Sequence, residues 1–165
     1  MNTGQTMLTL GALALLATTM VNMLRISGSV GETMLRSKSG IAAVSIATSL
    51  IEESQRKLFD AACTDSAINT LNTLTSPSSL GASSSEQYPN INDFDDYNNL
   101  KIKYFLQLPD TLFVNCKVVY IDPNYPDRIS SSKTWHKKLT INVSSPSMQD
   151  DTVKMEYIYS YWYFR

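Results

Sequence analysis

Between Met7 and Leu24 the chain reads MLTLGALALLATTMVNML, a run without a single charge. Its polar members are Thr9, Thr18, Thr19 and Asn22, and Arg25 closes it. A helix needs roughly 20 predominantly apolar residues to cross a bilayer. The run reaches that span and is too long for a buried strand. It therefore dictates a helical stem that lipid or other protein must cover. No Lys or Arg precedes it, and it is long for the centre of a secretory signal, so it reads as a retained helix. The residues to be covered are Met7, Leu8, Leu10, Leu13, Leu15, Leu16, Met20, Val21 and Leu24.

The helical pattern continues to Phe59. Val30, Met34, Ile41, Val44, Ile51 and Leu58 recur at steps of three, four or seven and share one side of a helix. Leu35, Ala42, Ile46 and Leu50 form a second line, the expected helix-packing residues. Two apolar lines require two partners. One is the protein's own sheet; the other is a second helix or another subunit. Gly28 and Gly31 interrupt the pattern, and glycine costs a helix about 1 kcal/mol relative to alanine. A kink or a locally melted segment is expected there, with close helix approach as the alternative.

Asp65 to Leu74 reads as a short helix with Ile68, Leu71 and Leu74 on its apolar side. A Ser-rich polar loop follows, and then four strand patterns. Leu100 to Leu108 and Thr111 to Ile121 alternate cleanly, with Leu112, Val114, Cys116, Val118 and Tyr120 on one face. In the third, Lys133 to Val143, Trp135, Leu139, Ile141 and Val143 face inward, with His136, Lys138, Thr140 and Asn142 outward. The fourth, Thr152 to Phe164, ends in an aromatic run. Short connections predict an antiparallel meander. The fold class is α+β: a long N-terminal helix packed on a four-stranded sheet. Its segments are 1–29 (hydrophobic helix), 30–62 (amphipathic continuation), 63–99 (connecting loop) and 100–165 (sheet head).

The chain has 165 residues, a formal net charge of -1, one histidine and two cysteines. No basic cluster suggests a nucleic-acid partner. No motif of nucleophilic, phosphate-binding or metal-dependent catalysis is present, and His136 falls on a wet strand face, so no enzyme activity is expected. No cofactor is expected either. Asp93, Asp95 and Asp96 offer the oxygen ligands that calcium prefers, but they lack the spacing of a calcium loop, and self-capping turn residues are the favoured reading. Cys63 and Cys116 read either as a disulfide, which the strand phase of Cys116 favours in an oxidising compartment, or as two separate buried thiols. The aromatic end of the fourth strand is either a binding surface or core and subunit contact.

An apolar stem, a long amphipathic helix, a polar loop, four meander strands and two cysteines, in that order, resemble type IV pilins and pseudopilins. Ile51-Glu52-Glu53 with Phe59-Asp60, and Asp93-Phe94-Asp95-Asp96-Tyr97, are similar to short motifs of such proteins. The fifth-position glutamate of mature pilins is missing: Gln5 stands there as the chain is written, or Thr9 after a cut behind Gly4. The resemblance implies a structural subunit that waits in a bacterial cytoplasmic membrane and polymerises through its hydrophobic helix into an extracellular filament of identical subunits. An assembly machinery is its further implied partner. A minor pseudopilin, or a single-pass anchored binding domain that does not polymerise, are the alternative readings.

Overall fold

The computed structural model describes residues 2–63, 68–105 and 110–164. Helix α1 runs Thr3–Gln55. Ala, Leu and Met are strong helix formers, and no proline occurs before Pro77 to interrupt them. Gly28 and Gly31 lie inside α1 with helical backbone throughout, so the melted segment expected there does not form. The helix ends by tightening: the N–H groups of Arg56 and Lys57 reach back three residues, to the carbonyls of Glu53 and Ser54.

Strands β1 (Lys101–Phe105), β2 (Thr111–Asp122), β3 (Tyr125–Ile129), β4 (His136–Ser144) and β5 (Thr152–Ser160) follow. Pairing is antiparallel in the order β1-β2-β4-β5, and β3 pairs only with the far end of β2 past an irregularity at Ile121/Asp122. The meander is as expected; β3 is an addition in what the sequence reads as a loop. All five β3 residues are exposed, so no burial alternation marks it. Leu106 and Leu108, assigned to the first strand, lie outside the described residues. The last strand stops at Ser160, and its aromatic end turns into a 3-10 turn over Tyr161–Phe164. Of the short helix expected at Asp65 to Leu74, a 3-10 turn at Leu71–Thr73 is formed.

The chain divides into two units, Met1–Lys38 and Ser39–Arg165. The first is helix. The second holds the end of α1, the sheet and one hydrophobic core. From α1 the core takes Ala43, Ala47 and Leu50; from the sheet it takes Leu112, Val114, Val118, Leu139, Ile141 and Val143. The buried line on α1 is Ser39, Ala43, Ala47, Leu50 and Ser54. This corrects the expected packing set. Leu50 is buried and Ala42 and Ile46 are half-buried beside the core, but Leu35 is exposed. Small side chains on the buried line let the helix backbone sit close to the sheet, and larger residues flank it.

Between α1 and β1 the chain has little regular structure, yet it is tied down repeatedly. Leu58 pairs with Asp93 in a parallel bridge, through Leu58 N–H to Asn92 O and Phe94 N–H to Leu58 O. The Tyr120 hydroxyl donates to Thr75 O, Lys133 Nζ to Leu74 O, and Asn98 Nδ2 to Leu80 O. The Ile68 N–H donates to the Tyr161 hydroxyl.

Candidate functional site

In the first unit the candidate residues Met7, Leu8, Leu10, Leu13, Leu15, Leu16, Met20, Val21 and Leu24 are all strongly exposed, and none touches a core. The helix is long and apolar enough to cross a membrane by length and composition. Its hydroxyls are turned inward on the backbone: Thr9 donates to Thr6 O, Thr18 to Leu15 O and Thr19 to Leu16 O, at 2.8–2.9 Å. Each threonine thereby satisfies its own O–H, and the helix presents a nearly uninterrupted apolar surface. A Cβ added at Gly28 or Gly31 would meet nothing within 4 Å. Nothing in the folded subunit requires glycine at either position.

The second unit contains a buried polar cluster. Lys137 Nζ lies 2.8 Å from Asp60 Oδ2 and 2.8 Å from Asp95 Oδ1, and it donates to Phe59 O at 2.8 Å. The Phe59 and Tyr120 rings stand over the ammonium, with centroids at 4.5 and 5.3 Å. Three elements meet here: β4 supplies Lys137, the chain leaving α1 supplies Phe59 and Asp60, and the 3-10 turn Asp95–Tyr97 supplies Asp95. Burial alone would raise the Asp60 carboxyl. The Lys137 ammonium, with the Thr75 and Ala62 N–H groups, outweighs burial and holds it below the ordinary range. Asp93 takes the opposite course. Burial, and then the neighbouring Asp95 and Asp96, push it up to about 8. Its Oδ1 accepts the Asp95 and Asp96 N–H groups at 3.0 and 3.2 Å.

These contacts bear on calcium. One oxygen of each is engaged: Asp93 Oδ1 and Asp96 Oδ2 by backbone N–H groups, and Asp95 Oδ1 by Lys137. Among the described residues no group of three or more acidic, histidine or cysteine side chains is arranged to hold a metal ion.

A second buried carboxylate, Asp110, ties α1 to the sheet. Ser39 Oγ donates to Asp110 Oδ2, Ser145 Oγ donates to the same carboxylate at 2.6 Å, and the Thr111 N–H donates to Oδ1 at 2.9 Å. Burial raises this carboxyl, but the Ser145 and Ser39 hydroxyls lower it further than burial raises it.

Cys63 and Cys116 are free thiols, which corrects the expected disulfide. Cys63 sits beside Asp60 and Lys137. Lys137 pairs with Tyr120, whereas Cys116 pairs with Ile141, four residues along β4. Burial pushes the Cys116 thiol up to about 12. His136 is half-buried rather than on a wet face, and its Nδ1 lies 2.8 Å from Ser160 Oγ on β5. The aromatic run is mainly interior. Tyr159 packs edge-on against Phe59 and Phe94, Tyr161 stacks on Trp135, and Trp162 remains half-exposed.

Lys137, Asp60 and Asp110 are absent from the sequence-derived candidates. The signal for Lys137 was present: the inward phase Trp135, Leu139, Ile141, Val143 passes through it. Comparison with protein-family models, with curated proteins and with solved structures finds no match to this chain.

Proposed function

We propose that this chain is the structural subunit of a pilus-like filament that polymerises through its N-terminal helix. The observation that carries this reading is the exposed, uncharged stretch of α1 in the first unit, together with a second unit whose core is complete without it. A surface of that size is stable only in lipid or against other protein, and a second copy of the same helix offers a matching surface. Lipid covers the isolated subunit. In a filament, neighbouring helices replace the lipid through a head-to-tail interface that repeats without closing. The internally bonded threonines suit both environments. Gly28 and Gly31, unexplained inside the subunit, suit close approach of a neighbouring backbone.

Electron microscopy of sheared cell-surface material, with intact-mass measurement of the subunit, tests this. Filaments composed of this chain are the expected result. Leu16→Asp, which places a charge in the uncharged run, is expected to abolish them and leave the unfolding of the head unchanged. Recovery of the chain in membranes without filaments would shift the reading to a minor subunit or an anchored binding domain.

A further inference from the structure

We propose that Lys137 and Asp95 condense into an intramolecular amide, a covalent cross-link between β4 and the acidic-aromatic turn of the head. The inference is independent of whether the chain forms filaments.

Lysine is rarely fully buried, and Lys137 is 0 % exposed. Its nitrogen contacts one oxygen of Asp95 at 2.8 Å, and that side chain is 4 % exposed. The surrounding walls are the Phe59 and Tyr120 rings, so water is kept from both groups. Fixed contact also replaces a bimolecular encounter, which raises the effective concentration of the reacting groups by orders of magnitude.

The step balances without a co-reactant. One proton passes from the ammonium to the Asp95 carboxylate, leaving an amine and a carboxylic acid. The nitrogen lone pair attacks Asp95 Cγ and forms the N–C bond. The carbon–oxygen bond then breaks, and that oxygen departs as water with the two protons that the nitrogen has given up. Nothing is oxidised or reduced.

Two neighbours fit supporting parts. Asp93, whose Oδ1 accepts the Asp95 N–H at 3.0 Å and whose carboxyl is pushed up by burial and by Asp95, stands beside the Asp95 carboxyl and polarises it. Asp60, 2.8 Å from Nζ, takes the nitrogen's second proton and passes it to the departing oxygen. Both end in the protonation state in which they began. Asp60 is the poorer electrophile. Its oxygens accept from Ala62 N–H, Thr75 N–H and Thr75 Oγ1, which hold it as a carboxylate.

Intact-mass spectrometry of the purified, denatured full chain is the test. A mass lower than the sequence mass by one water is expected. Proteolysis and fragmentation should then recover the Lys137 peptide joined to the Asp95 peptide. Lys137→Arg and Asp93→Asn, checked for folding by circular dichroism, should each retain the full mass. A folded parent chain of full sequence mass would overturn the proposal. So would a water loss mapped to Asp60 or to a cyclised aspartyl backbone. An Asp93→Asn chain that links as completely as the parent would overturn the part given to Asp93.

Discussion

Asp110 and Asp93 are both buried carboxyls, and their surroundings drive them apart. At Asp110 the donors are neutral hydroxyls and a backbone N–H, and they favour the charged form over the burial that opposes it. Its folded value lies below the ordinary 3.8. Its contribution to stability is therefore present above pH 3.8 and is lost as pH falls through the folded value. Asp110→Asn should cost about 1.5–3 kcal/mol at neutral pH, the range for hydrogen bonds to a charged group. It should also flatten the acid side of the stability profile, and thermal unfolding from pH 2 to pH 7 checks both effects. Asp93 runs the other way. While the cluster is unlinked, its stabilising contribution is full below 3.8 and is lost as pH rises through about 8. Neither behaviour was legible in the sequence. Asp93 read as a turn residue and Asp110 was not singled out, because the partners Lys137, Ser39 and Ser145 are remote along the chain.

At the scale of elements, α1 separates what periodicity reveals from what it conceals. Alternation located β2 and its inward residues from Leu112 to Tyr120, and the helical repeat located α1. The packing line was misplaced because large apolar residues were taken as the contact. The actual line is small, and smallness brings the helix onto the sheet. Ala47→Leu should therefore overpack the contact and cost about 1–3 kcal/mol in chemical denaturation. Ile41, 72 % exposed, lies on the free face. Ile41→Ser should change head stability by no more than about 0.5 kcal/mol, yet reduce filament yield by electron microscopy. β3 was hidden because an exposed strand with Pro126 carries no alternation. Lys137 was hidden because residue type was allowed to override strand phase.

For the whole molecule, every buried side chain of the core cluster belongs to residues 39–165. A chain starting at Ser39 should therefore unfold cooperatively as a soluble monomer, readable by sedimentation and thermal denaturation. The connection from Ile68 to Leu100 bears on how such a protein endures outside a cell. Its composition, rich in serine and asparagine, is that of a segment that proteases open readily. Proteases need several consecutive residues of extended, unanchored backbone. The ties at Ile68, Leu74, Thr75 and Leu80 recur every few residues and leave little of it between 68 and 80; a further tie, at Asn92, lies twelve residues on. The consequence is durability: a head that looks cleavable on paper should pass through subtilisin digestion with this connection uncut between Ile68 and Leu80, any nick falling in 81–91.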